Sequence, residues 1–291
     1  MGRHITVAAA QTGPVNTDDW RASMPVALDM IERAAKADAH VVCFSELFMT
    51  PFFPNRLTHD YDRFFVALPD RDIARLIEAT ADHRMALVLP FGEKRAGGYY
   101  NACLVTNAEG RTLGTYRKTH IPAILPSQAA GGTGSYEKFY FTPGRDFPVF
   151  DLGTAKIGIQ ICYDRKFPEG SRILALEGAE ILFMPICAAT YGETQLRERT
   201  WEIPLLARAY ENGVFVVAVN RAGDEAGRRH MGRSMIIDPV GAQIVAEAST
   251  DVPELLVSTL DLDHVAQAQT SLPWWRDRRA ELYGALSDAP Q

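Results

Sequence analysis

One order of elements occurs twice along this chain, strand–helix pairs followed by an antiparallel hairpin, and few folds can accommodate it. The chain opens on a strand-like run, Ile5–Gln11, followed by a helical stretch from about Trp20 to Ala39. The apolar positions Val26, Met30, Ile31 and Ala34 recur there at helical spacing. His40–Phe44 then reads as a strand buried on both faces, since nearly every residue is apolar. A second helix, about Asp70 to Arg84, leads into Met85–Pro90. Tyr100–Asn107 and Arg111–Lys118 are β-rich runs joined by Ala108-Glu109-Gly110, a hairpin signal.

The second half repeats this order. A strand over Ala155–Ile161 precedes a helix from about Phe167 to Glu177, stopped by Gly178. Ile181–Ile186 is a strand, Gln195–Glu211 a helix and Val214–Val219 another strand. A second hairpin pairs Ser234–Asp238 with Gln243–Ala246 through Pro239-Val240-Gly241. Two sheets packed face to face, with helices outside, would bury these strands. The expectation is one α/β domain over residues 1–291, an α-β-β-α sandwich with internal pseudo-symmetry, because no linker separates the halves. The loop Pro126–Ser135 is the one low-complexity piece, and it is expected at the mouth of a site.

Composition narrows the function classes. A net charge of −6 and no Lys/Arg block argue against nucleic-acid binding driven by phosphate contacts. No apolar stretch approaches the roughly 18 residues of a membrane span. The first residues hold no apolar region of signal-peptide length, and the expectation is a cytoplasmic, reduced protein. The four cysteines, Cys43, Cys103, Cys162 and Cys187, lack C-x-x-C spacing, so neither a zinc site nor a disulfide framework is indicated. Cys43, Cys103 and Cys187 lie in apolar strand-like runs, where cysteine behaves as a small core hydrophobe.

Cys162 differs. It closes its strand run and is followed by Tyr163-Asp164-Arg165-Lys166. A strand-to-helix elbow exposes its nucleophile at the carboxyl edge of the sheet, near the positive end of the next helix, where a thiol pKa is expected to fall. Glu46 ends the second strand at the same edge, a place that suits a carboxylate to general-base work. Lys118 follows the first hairpin in Tyr116-Arg117-Lys118-Thr119-His120, and Glu137 stands in Tyr136-Glu137-Lys138-Phe139. Taken singly, a lysine or glutamate of this kind is most often a solvated surface group.

Together these blocks change the reading. The chain resembles the nitrilase superfamily over nearly its whole length. The matching blocks are FSELFMTPFFP around Glu46, YRKTHIP around Lys118, IGIQICYDRKFPE around Cys162, ARAYENGVFVVAVNR at 207–221 and GRSMIIDPVG at 232–241. The resemblance implies Glu46, Lys118 and Cys162 as a catalytic triad, with Glu137 as an additional active-site glutamate. It further implies that Lys118 and the backbone N–H of Tyr163 hold the developing oxyanion, and that no metal or organic cofactor takes part. Members commonly dimerise, and some cross onto a neighbouring subunit through a C-terminal extension. Residues 264–291, with Pro273-Trp274-Trp275-Arg276-Asp277-Arg278-Arg279, are expected at such an interface in a homodimer or higher oligomer.

Within the superfamily, CYDRKFPE is similar to the N-carbamoyl amino acid amidohydrolases and related to β-ureidopropionase and N-carbamoylputrescine amidase. Nitrilases place Trp-Glu after the cysteine, whereas this chain has Tyr163-Asp164, which argues against a nitrile. Arg165 matches the arginine that binds the substrate carboxylate, and His120 a histidine that lines the site. Lys166 departs from the Arg-Arg pair of some D-specific members, and Ser135 stands where they carry a further histidine. The expected substrate is therefore a small molecule bearing a carbamoyl or amide group and a carboxylate, cleaved to amino acid, ammonia and carbon dioxide. The alternatives are a general aliphatic amidase, an N-carbamoylputrescine- or β-ureidopropionate-type amidase and, remotely, an inactive scaffold.

Overall fold

The structure is a computed structural model that describes residues 2–125, 134–190, 194–271 and 273–287. Most of the loop expected at a site mouth (126–133) lies outside the described residues.

Two six-stranded sheets form the centre. The first has the order β14-β1-β2-β3-β4-β5, from Glu254–Asp261, His4–Gln11, Val41–Phe44, Ala86–Arg95, Gly98–Thr106 and Thr112–Arg117. The second has the order β13-β12-β9-β8-β7-β6, from Gln243–Glu247, Met235–Asp238, Phe215–Val219, Ile181–Pro185, Lys156–Ile159 and Val149–Asp151. Strands β1, β2 and β3 run parallel and pass into the antiparallel pair β4 and β5. Strands β7, β8 and β9 do the same and pass into β12 and β13. Each sheet thus has three parallel strands leading into an antiparallel hairpin.

Side-chain alternation makes the layers. Val7 and Ala9 face the other sheet, where they meet Ile157, Ile159, Phe183, Phe215 and Val217 in an apolar core that also holds Cys43 and Cys103. Ala8 and Ala10 face the opposite way, against Met30, Ile31 and Leu76 of helices α1 (Met24–Lys36) and α2 (Arg71–Asp82). Leu182, Met184 and Val216 likewise pack outward on Leu174, Trp201 and Leu205 of α4 (Pro168–Leu176) and α5 (Thr194–Asn212). Burying each of the larger side chains, Val, Leu, Ile, Met or Phe, contributes roughly 1.5–3 kcal/mol relative to leaving it in water, so both faces of both sheets must stay covered. The result is the expected α-β-β-α sandwich.

Local chemistry trims the expected elements. The first helix begins at Met24 rather than Trp20 because Asp19 caps a separate 3-10 turn, Trp20–Ser23, by accepting the Arg21 N–H. Asp70 caps α2 with bonds from the N–H groups of Asp72 and Ile73. Helix α4 lies close against the end of β7. A Cβ on Gly170 would fall 2.6 Å from Gln160 Nε2 and 2.8 Å from the Phe147 ring, while Ser171 donates to the Gln160 side chain. This lock fixes the strand end that carries Cys162.

The C-terminal segment folds onto its own chain. In α6 (Asp263–Ser271), Val265 joins the inter-sheet core. Trp274 donates from Nε1 to the Glu211 carbonyl, and Arg172 lies over the Trp275 ring at 5.0 Å.

Candidate active site

The carboxyl ends of both sheets supply the candidate residues. Glu46 follows β2, and Lys118 follows β5, where its N–H donates to the Asn101 carbonyl. Cys162 follows β7, and Glu137 begins the single turn α3 (Glu137–Tyr140). Although these residues are far apart in sequence, the fold brings three of them into one buried network. Lys118 Nζ donates to Glu46 Oε1 at 2.9 Å and to Glu137 Oε2 at 2.6 Å, and Lys118 is fully buried. Burial alone would lower the Lys118 pKa, but the two carboxylates, Glu137 foremost, outweigh it and hold the ammonium well above its ordinary value. Glu137 is raised, burial being the main cause, and Ser135 Oγ donates to its Oε1 at 3.0 Å.

The Glu46 carboxylate is unevenly satisfied. Its Oε1 accepts from both Lys118 and Asn101 Nδ2, the latter at 2.8 Å, whereas Oε2 is buried with no partner among the described residues. A buried carboxylate oxygen left free calls for an explanation, and a waiting proton acceptor provides one.

Cys162 occupies a strained elbow. Its φ is +49°, in the left-handed region that side chains seldom adopt, at the first residue of a 3-10 turn, Cys162–Lys166. Of the four cysteines it is the one that is not buried outright. The expectation of a lowered thiol pKa is overturned. Burial, followed by the charge of Glu46, pushes it up to about 11, while Lys118 and Arg165 pull the other way. A 3-10 turn, Cys162–Lys166, stands between the cysteine and α4, and desolvation is the largest influence on the thiol. Tyr163, next in the turn, is half-buried with its ring edge-on to Phe167 at 5.2 Å.

Asp164, which the sequence marked only as a difference from nitrilases, is the hub of the turn. Fully buried, it accepts from Tyr116 Oη, Thr119 Oγ1 and the N–H groups of His120 and Ile161, at 2.7–3.0 Å. It thereby ties the Cys162 turn to the end of the strand that carries Lys118. His120 is held in the same network, with Nδ1 2.8 Å from Asp164 Oδ1 and its ring stacked on Phe167 at 3.8 Å.

Arg165 is buried rather than solvated at the surface. Its Nη1 donates to the Cys162 carbonyl at 2.7 Å and lies 3.7 Å from Cys162 Sγ, and its guanidinium sits over the Trp201 ring at 5.3 Å. Among the described residues it forms no ion pair, and its Nε has no partner. Sequence reasoning missed Asn101 and the hub role of Asp164. Asn101 had a usable signal, a polar residue opening the apolar stretch Ala102–Val105.

Known proteins resemble this chain over nearly its whole length. A family model described as carbon-nitrogen hydrolase matches residues 6–270. N-carbamoylputrescine amidase of Arabidopsis thaliana is 33% identical over 98% of this chain and 96% of its own length. Citrullinase of Francisella tularensis is 34% identical over 88% of this chain and 89% of its own. The crystal structure of a carbon-nitrogen hydrolase from Helicobacter pylori superposes with a TM-score of 0.88 at 26% identity, covering 99% of each chain.

Proposed function

The chain belongs to the carbon–nitrogen hydrolase family and acts on carbon–nitrogen bonds of non-peptide amides, and from that premise we propose that it releases the carbamoyl group of an N-carbamoyl amino acid. The observation that carries this reading is Arg165, a buried guanidinium 3.7 Å from Cys162 Sγ with no carboxylate partner among the described residues. A cation so near the nucleophile suits a carboxylate only a few bonds from the carbon under attack, and guanidinium–carboxylate pairing gives orientation as well as affinity. N-carbamoylputrescine would bring a second cation to the same place. In citrulline the carboxylate stands much further from the ureido carbon.

In the proposed reaction Glu46 Oε2 takes the thiol proton as sulfur bonds to the carbamoyl carbon. The thiol, held protonated by its high pKa, becomes a nucleophile only as that proton moves. The Lys118 ammonium and the Tyr163 N–H receive the negative charge on the carbonyl oxygen, each donor contributing about 3 kcal/mol. Glu46 returns the proton to the leaving amino nitrogen, the C–N bond breaks and an S-carbamoyl cysteine remains. Water, deprotonated by Glu46, displaces the sulfur, and the carbamate formed decomposes to ammonia and carbon dioxide. Glu137, through its bond to Lys118, keeps the ammonium in place.

The test is ammonia release from N-carbamoyl-D-, L- and β-amino acids, measured beside citrulline, N-carbamoylputrescine and simple aliphatic amides. Preference for the N-carbamoyl amino acids is expected. Turnover confined to N-carbamoylputrescine or to neutral amides would overturn the reading. The C-terminal segment, which leaves Leu282 and Leu286 exposed, is proposed to meet a second copy in at least a dimer; light scattering at micromolar concentration showing a monomer would count against it. No helix among the described residues is long and apolar enough to cross a membrane.

A further inference from the structure

The segment that follows Glu46 turns abruptly. Glu46 begins the turn after β2, and Leu47 has φ +49°, a conformation a leucine does not hold unaided. Something outside the segment must hold it there. The backbone supplies one bond, from the Glu46 N–H to the Ile186 carbonyl, and it is long at 3.3 Å. The stronger restraints come from the end of the VAVNR block, far along the sequence.

Arg221, two residues beyond β9, is fully buried. Its Nη2 donates to the carbonyls of Leu47 at 2.8 Å and Thr50 at 3.0 Å and approaches that of Glu46 at 3.5 Å. Its Nη1 donates to Glu225 Oε2. Glu225, in the short hairpin β10 (Ala222–Glu225) and β11 (Arg228–Met231), accepts the Phe52 N–H on Oε1 at 2.6 Å and the Val15 N–H on Oε2 at 2.9 Å. One buried ion pair therefore grips the backbone at Glu46, Leu47, Thr50 and Phe52, with a rigid sheet behind it. Removing either charge would leave the other buried and alone.

Neither residue is among those that surround the Cys162 sulfur, so the pair has no evident part in bond making. We infer that Arg221 and Glu225 are positioning residues: they clamp the turn after β2 and so hold the Glu46 carboxylate in its buried network with Lys118 and Asn101, leaving Oε2 unpartnered as the acceptor for the Cys162 thiol proton. The energetic logic is that a lone buried carboxylate oxygen and a left-handed leucine are both costly. Such a conformation persists only where its surroundings over-determine it. Asn101 and Lys118 fix one oxygen of the side chain, and the clamp fixes the backbone from which that side chain projects. Arginine is required rather than any cation, because only a planar fork reaches the Glu225 carboxylate and two carbonyls at once.

The inference rests on Glu46 as the base, and the experiment separates the two ideas. Cys162 alkylation by iodoacetamide and steady-state turnover would be measured in the full chain, in Arg221→Lys, in Glu46→Gln and in the double variant. A shift of about 1 Å in a reacting group can cost on the order of 100-fold. Arg221→Lys is therefore expected to lower kcat and alkylation by about that factor, with KM little changed. The added effect of Arg221→Lys should vanish in the Glu46→Gln background, since there is no base left to misplace. Equal losses in both backgrounds would show a merely structural role and overturn the clamp. Full activity in Glu46→Gln alone would instead overturn the base, and the clamp with it. Should Arg221→Lys fold poorly, Glu225→Gln serves. It keeps the Phe52 acceptor, removes the charge and is expected to give the same pattern, and unchanged kcat there would refute the inference.

Discussion

Cys162 and Cys187 end neighbouring parallel strands of one sheet, yet the molecule treats them oppositely. Both follow the carboxyl ends of apolar strands, β7 and β8, and burial raises the pKa of both thiols. Cys187 even has the more familiar company. Its Sγ lies 3.6 Å from His230 Nδ1, and His230 Nε2 lies 3.6 Å from Glu225 Oε1. That resembles a cysteine–histidine–acid relay, but it is closed. Cys187 and His230 are buried, the distances are long, and the Glu225 carboxylate is taken up by Arg221 and two backbone N–H groups. Cys162 has a strained turn, partial exposure, two permanent cations and a carboxylate with a free oxygen. Position at a strand end selects candidates; the charges beside the sulfur and the unpartnered Glu46 oxygen support Cys162 as the proposed nucleophile.

The comparison breaks most visibly by deleting each sulfur. Cys162→Ala should abolish turnover, by on the order of 10⁴-fold or more, as loss of a covalent nucleophile does. Cys187→Ala should leave kcat within a few-fold and lower stability by roughly 1 kcal/mol as a small core truncation. Activity surviving the first variant, or lost with the second in a folded protein, would reverse the assignment. Next in size is Glu46→Gln, expected to lower kcat by roughly 10²–10⁴-fold with little change in KM, since a general base acts in the transition state. The check is steady-state kinetics at saturating substrate.

How much of this was legible beforehand follows from the range of the interactions. Lys118 follows the largely polar strand Thr112–Arg117 and stood out only through the resemblance of YRKTHIP. Glu46 and Cys162 stand at the ends of apolar runs, and a strand end is a local property of sequence. The two-sheet sandwich was legible for the same reason, because the apolar runs at β1, β2, β8 and β9 require cover on both faces. Asn101 and Asp164 were not, because their roles consist of partners 55 residues away in the first case and up to 48 in the second. The β10–β11 hairpin was missed for a different cause. Its turn residues Ala226 and Gly227 both have positive φ, as a tight hairpin turn demands, yet alanine is an unusual first residue there and the strands lack apolar alternation. The thiol pKa was misjudged because the helix end is visible in sequence and the depth of burial is not.

Arg165 sharpens the comparison on the substrate side, with a smaller effect. Arg165→Ala is expected to raise KM for carboxylate-bearing substrates by about 10–100-fold, the loss of a charge-assisted hydrogen-bonding pair. Neutral amides should keep their KM, with a modest fall in kcat on every substrate because Nη1 also holds the Cys162 carbonyl. KM values for one carboxylate substrate and one neutral amide, compared between the two proteins, decide it. Equal changes on both would mean that Arg165 only supports the turn.

The least conspicuous difference concerns acid. Burial lowers the His230 pKa from 6.5 to about 4, so the imidazole beside Cys187 is neutral at neutral pH and lends the thiol no charge. A folded-state pKa below the unfolded one means that the native state binds fewer protons between those values. Stability is then present above about pH 6.5 and drains away as pH falls toward 4, by on the order of 3 kcal/mol in total. Glu225, which burial alone would raise but Arg221 holds down at about 2, adds a loss of the same sign, and most of it falls below pH 4.5. His264 is raised, mainly by its bond to Asp238, and works the other way over the neutral range. Thermal unfolding from pH 7 to 4.5 should therefore show a fall in Tm that is shallower in His230→Gln than in the parent. An identical slope in the two proteins would mean that His230 titrates normally. Its pairing with Cys187 would then have to be reconsidered as a second, protonatable thiol site.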